Sequence, residues 1–213
     1  MQHYMQSVAM TNTRTFIAML LVTLQTTLCA QDHQRNEQNM RNKKILVTFF
    51  SRAGENYNVG HIEKGNTHII AEMIAQETGA ILFHIQPVTP YPDDYTECTE
   101  VAKRELNAHA RPAVKGDAAI EDYDIIFIGY PNWWGDMPMP VYTFIEKHDW
   151  QGKTIIPFCT HEGSGLSGTE SKLKSACQGS NVLKGLAVRG TTAQNKQEQA
   201  RQSVKNWLNK LDY

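Results

Sequence analysis

From Lys44 onward the chain alternates short, almost continuously apolar runs with longer segments whose apolar residues recur at helical spacing. The runs are 44–50 (KILVTFF), 80–85 (AILFHI), 124–130 (DIIFIGY), 153–160 (KTIIPFCT) and 181–188 (NVLKGLAV). Runs without strict polar alternation suit parallel strands covered on both faces. Each gap holds a helix candidate. Residues 66–78 place Ile69, Ile70, Met73 and Ile74 on one face and are followed by Gly79, a good C-terminal stop. Residues 95–107, 139–147 and 169–176 fill the next gaps. Residues 193–211 close the chain, with Ala200, Val204, Trp207, Leu208 and Leu211 in one stripe. Five strands in strict alternation with five helices predict an α/β fold, a doubly wound, five-stranded parallel sheet in three layers (α/β/α). Residues 44–213 form this one domain, without internal repeats.

The first thirty residues break the pattern. Arg14 precedes an apolar stretch from Phe16 to Ala30, and no acidic residue occurs in residues 1–30. That is the layout of a signal peptide over 1–30, with Met10 an alternative start and cleavage after Cys29 or Ala30. The stretch is interrupted by Thr23, Gln25, Thr26 and Thr27 and falls short of the ~20 apolar residues of a spanning helix. No stable membrane span is therefore expected after processing, and the expected location is periplasmic. A lipid anchor on Cys29 is disfavoured by the bulk of Leu28 before it. Residues 31–43 are polar and Asn/Gln-rich, a linker. Beyond the leader remain Cys98, Cys159 and Cys177, with no C-x-x-C pair. Cys159 lies in an apolar run and reads as a buried, inert thiol. A Cys98–Cys177 disulfide is permitted in an exported protein, though the sequence does not establish it.

Charge narrows the partners. Twenty-one basic residues against 22 acidic give a net charge of −1, with no basic excess, so no nucleic-acid partner is expected.

In a doubly wound sheet, ligands bind beyond the carboxyl ends of the strands, so the loops after the first, third and fourth strands carry the candidate chemistry. The first, from Ser51 to Gly65-Asn66-Thr67, lacks both G-x-G-x-x-G and G-x-x-x-x-G-K-[ST]. Hydroxyl, amide and glycine at a strand-to-helix junction suit a phosphate; an ordinary helix cap by Asn66 or Thr67 is the alternative. The second loop, Pro131-Asn132-Trp133-Trp134-Gly135-Asp136, places two tryptophans where a planar ring could stack, and one ligand-facing and one core tryptophan are expected. The third, Thr160-His161-Glu162-Gly163-Ser164-Gly165, begins like H-E-x-x-H but has Gly165 at the last position, which removes the zinc-protease reading. Gly165-Leu166-Ser167-Gly168-Thr169 lacks the last glycine of G-x-S-x-G, which removes the hydrolase reading. His61, His68, His84, His109 and His148 show no ligand spacing and read as solvated or capping residues.

Taken together, the three loops resemble the flavodoxin family. Ser51 matches the start of its hydroxyl-rich phosphate loop and Gly65-Asn66-Thr67 its end, with residues 52–64 an insertion carrying S-R-x-G-E-N-Y. Trp134-Gly135 matches the aromatic-Gly step beside the flavin, and residues 160–165 match the loop at the flavin's pyrimidine edge. The resemblance spans residue 44 to the C-terminus and implies strand order 2-1-3-4-5 and non-covalent FMN. It places the phosphate on Ser51, Asn66 and Thr67, with Arg52 and Tyr57 closing over it. The ring would lie against Trp134, or alternatively Trp133, among Asn132, Gly135, Thr160, His161, Gly163 and Gly165. Asp136 and Glu162 are expected to disfavour the anionic hydroquinone, and a Gly135 carbonyl turned toward N5 to favour the semiquinone.

Three functions follow from the resemblance: an electron carrier, an FMN-dependent NAD(P)H:quinone-type reductase, and a flavin-binding module without turnover. The expected partners are a redox protein or a small acceptor such as a quinone. Near-neutral charge weakens the carrier reading, since carriers of the family are strongly acidic. Export weakens the reductase reading, since nicotinamides are cytoplasmic.

Overall fold

The computed structural model describes residues 43–211; the leader expected over 1–30 and all of the linker except Lys43 lie outside the described residues. In chain order the strands are β1 (Ile45–Phe49), β2 (Gly54–Asn56), β3 (Gly60–Ile62), β4 (Ile81–His84), β5 (Gln86–Pro87), β6 (Val114–Lys115), β7 (Ile125–Pro131), β8 (Thr154–His161), β9 (Asn181–Val182) and β10 (Leu186–Arg189). The helices are α1 (Asn66–Thr78), α2 (Tyr95–Asn107), α3 (Met139–Ile145), α4 (Thr169–Ala176), α5 (Gly190–Asn195) and α6 (Gln197–Leu208).

The main sheet runs β4-β1-β7-β8-β10 with every pairing parallel. Counted by the five predicted runs, this is the order 2-1-3-4-5. Alternate residues of each strand enter opposite cores, as the pleat requires. Leu46, Ile126, Ile128 and Tyr130 meet Val141 and Phe144 of α3 and Leu173 of α4. Val47, Phe49, Ile125 and Phe127 meet Ile70 and Ile74 of α1 and Ala200, Val204 and Trp207 of α6. The strand order reverses between β1 and β7, so the loops leaving those two strands open beside each other.

Three features differ from the sequence reading, and a fourth settles a point it left open. The fifth run is split: β9 and β10 both pair in parallel with β8, separated by residues 183–185. The last helix is also split, because Lys196 adopts φ −141° between α5 and α6. The insertion after β1 folds as an antiparallel hairpin, β2–β3, and a second small pair, β5–β6, lies off the main sheet. Finally, Cys98, Cys159 and Cys177 are all buried and free. The Cys98–Cys177 pairing that the sequence left open is not formed.

Candidate functional site

Ser51 leaves β1 and α1 begins at Asn66, with Gly65 at its N-cap making no side-chain cap. The Ser51 hydroxyl supplies that cap from a distance, accepting the His68 amide at 3.1 Å. The Ile69 amide bonds the Gly65 carbonyl at 3.3 Å. Among the described residues, the amides of Asn66 and Thr67 have no acceptor. Two free N–H groups at the positive end of a 13-residue helix form an anion cradle. Gly65 is required by close approach: a Cβ there would collide with the Ser51 hydroxyl and the Arg52 carbonyl. The two halves of the loop, separated in sequence by the hairpin, therefore touch. Thr67 is buried and its hydroxyl meets that of Thr160 at 2.7 Å, tying the first loop to the third. Asn66 Oδ1 accepts from Gln194 at 2.9 Å.

Arg52 departs from its expected role. Its guanidinium donates to the carbonyls of Glu55, Pro92 and Asp93, with the Nε–Pro92 bond at 3.0 Å. It is a strut between the hairpin and the segment before α2, and its donors are already engaged. Tyr57 stacks on Tyr95, with centroids 6.0 Å apart.

The second loop makes a tight reversal. Trp133 and Asp136 exchange backbone hydrogen bonds of 2.9 and 3.0 Å, while Trp134 and Gly135 between them hold φ of 55° and 77°. Both central residues are left-handed, as in a type I′ turn. Glycine takes that conformation freely, whereas tryptophan is strained by it. Trp133 packs edge-on against Phe50 and Tyr91 at 5.3 and 5.0 Å. Trp134 is 53% exposed, donates its indole N–H to the Thr99 carbonyl at 3.0 Å, and carries Lys103 Nζ 4.8 Å from its ring centroid. Asn132 is a cross-tie: its side-chain amide donates to Gly165 O and Ser167 Oγ, both at 2.8 Å, and its Oδ1 accepts the Gly135 amide at 3.0 Å.

The two carboxylates expected to repel an anionic ring are both compensated. Asp136 is buried and pairs with Lys172 at 2.6 Å while accepting the Tyr142 hydroxyl at 2.9 Å. Glu162 accepts the Thr191 amide at 2.6 Å and lies 3.9 Å from Arg189. Lys172 also reaches the Gly135 carbonyl at 3.4 Å. In the third loop, His161 Nδ1 accepts the Gly163 amide at 2.8 Å. Burial, with Arg189 nearby, holds His161 below its ordinary value. Gly163 and Gly165 take φ of 137° and 62°, leaving bare backbone at the mouth.

His84 and His68, read from the sequence as solvated or capping residues, are half-buried beside Ser51. The His84 ring stacks on Phe49 at 4.7 Å and its Nε2 lies 3.2 Å from the Ser51 carbonyl. His68 stands 5.5 Å away, ring to ring. Desolvation lowers the pKa of both. Their sequence spacing carries no signal, because they meet only where α1 packs over the paired β1 and β4, both rings lying against Phe49.

The profile of a family described as Flavodoxin matches residues 44–211. Among solved structures, a protein of Bacteroides eggerthii DSM 20697, provisionally named a flavoprotein, is 31% identical, with a TM-score of 0.63 over 79% of this chain and 97% of its own. A similarly named protein of Bacteroides uniformis ATCC 8492 is 30% identical, with a TM-score of 0.63 over 79% and 99%. A flavoprotein of Lactobacillus acidophilus NCFM, solved with FMN, shares the fold at 22% identity, with a TM-score of 0.54 over 72% and 97%. A comparison with curated proteins finds no match.

Proposed function

Because this chain belongs to the flavodoxin family, we propose that it binds FMN non-covalently and serves as a redox protein. The observation that carries this reading is the cradle at the start of α1, where Ser51, Gly65 and the free amides of Asn66 and Thr67 converge. A phosphate dianion fits that donor set, since helix dipole and N–H groups both favour negative charge. Bound FMN supplies one- and two-electron chemistry. The chain's own part is to orient and shield. Thr67 and Thr160 fix the cradle against the third loop, and Asn132 fixes the second loop against the third. In this reading Trp134, Gly135, Thr160, His161, Gly163 and Gly165 would border the ring.

The deciding test compares two ligands that differ only in the phosphate. FMN is expected to turn the purified chain yellow and to bind at least tenfold more tightly than riboflavin; equal affinities would remove the phosphate from the cradle. A near-neutral net charge of −1 gives little long-range steering toward a protein partner, which supports a second reading, an NAD(P)H:quinone-type reductase. Aerobic NADH or NADPH oxidation stimulated by a quinone supports the reductase; none, with a stable semiquinone, supports a carrier.

A further inference from the structure

A cavity lies between the hairpin, α2 and the second loop, outside the cradle. It has a volume of about 200 Å³, and Cys98 and Ala102 of α2 and Trp133 line it together with Tyr95, Trp134 and Asn56. Cys98 and Ala102 are buried, and burial pushes the Cys98 thiol up to about 11, so it is uncharged at neutral pH. Arg52 is the one charged lining residue, and most of its N–H groups serve the carbonyls of Glu55, Pro92 and Asp93. Lys103 lies over the Trp134 ring and does not line the cavity.

The remaining polar groups are neutral. Asn132 is fully engaged, and Thr99 donates its hydroxyl to the Thr96 carbonyl at 2.8 Å. Asn56 donates one amide N–H to the Gly54 carbonyl at 3.0 Å, which leaves its other N–H and its acceptor Oδ1 without a partner among the described residues. The Trp133 indole N–H and the Tyr95 hydroxyl likewise have no partner among them.

The geometry points to a binding site for an uncharged, planar phenolic ring in this slot. Aromatic walls favour a flat ring by stacking, and the unpartnered acceptor and donor suit a hydroxyl, which both gives and takes a hydrogen bond. An anion gains little from the lining, whose one cation, Arg52, directs most of its N–H groups at backbone carbonyls. The same argument disfavours the diphosphate of a nicotinamide dinucleotide. The slot adjoins the loop assigned above to the flavin ring, so its use by a redox substrate rests on that reading, while its ligand chemistry does not.

The test titrates 1-naphthol, 1-methoxynaphthalene and 1-naphthoate into the ¹⁵N-labelled full chain, with and without FMN, following the tryptophan indole N–H resonances. Saturable shifts with 1-naphthol at least tenfold tighter than either analogue are expected. Asn56→Leu should shrink the naphthol–methoxynaphthalene gap to under threefold, and Ala102→Leu should weaken naphthol at least tenfold with FMN affinity unchanged. Equal binding of the three ligands, or displacement of naphthol by FMN, overturns the assignment. If Ala102→Leu does not fold, the ranking on the unaltered chain decides alone. Naphthol binding without FMN binding overturns the flavin reading and leaves the slot standing; the converse overturns only the slot.

Discussion

Ser51 both caps α1 and faces the anion cradle, so its removal has two measurable costs. Ser51→Ala should lower stability by ~1 kcal/mol through loss of the cap. It should also weaken FMN, but not riboflavin, by the ~1.5–3 kcal/mol of a hydrogen bond to a charged group. Equal weakening of both ligands would mean that the mouth as a whole has shifted. His68 and His84 make a pH prediction. Burial lowers both below the ordinary ~6.5 that they regain on unfolding. As pH falls through ~6.5 the unfolded chain takes up protons first, so stability declines until the native histidines protonate as well. Urea midpoints of the apo-protein should therefore fall from about pH 7.5 to about pH 5.5, and His84→Asn should flatten that fall. Unchanged slopes would remove His84 as the cause. At this scale the sequence told residue type and loop, but not employment. Arg52 looks like a phosphate ligand in S-R-x-G-E-N-Y, and only the position of the Pro92 and Asp93 carbonyls shows where its donors go.

The regular elements were the most legible part of the chain. Helices over 66–78, 95–107 and 169–176 occur at the expected bounds, and the core strands lie within a residue of their runs apart from the split fifth. Apolar periodicity records burial, and these elements are defined by what they bury. Short pairings such as β2–β3 bury little and leave no such record. The break at Lys196 is equally silent, because α5 is placed by Glu162 accepting the Thr191 amide from another loop. The turn after β7 yields a contrast between adjacent tryptophans. Trp133→Ala should cost ~3 kcal/mol, at the lower end for a packed tryptophan. Trp134→Gly should cost less than ~1 kcal/mol, because relief of ~1–3 kcal/mol of left-handed strain offsets the lost contacts. Chemical denaturation of the apo-proteins checks the order, and a larger loss for Trp134→Gly would show the turn to be unstrained.

For the whole chain, the parallel three-layer sheet followed from the alternation of runs and its strand order from the family resemblance, whereas the compensation of Asp136 by Lys172 depended on α4 reaching across to the second loop. The leader makes a prediction of its own. Mature protein from the native cell should begin near Gln31, and N-terminal sequencing that starts at Met1 or Met10 would end the export proposal. One last consequence follows from the contact of Gly65 with Ser51 and the Arg52 carbonyl. A segment whose two ends already touch is an exchangeable cassette. Closing a loop of another length there changes the chain entropy only slowly, by ~0.6 kcal/mol per doubling. Evolution or engineering can thus rewrite the hairpin while the frame of Ser51, Gly65 and the start of α1 beneath it is inherited intact.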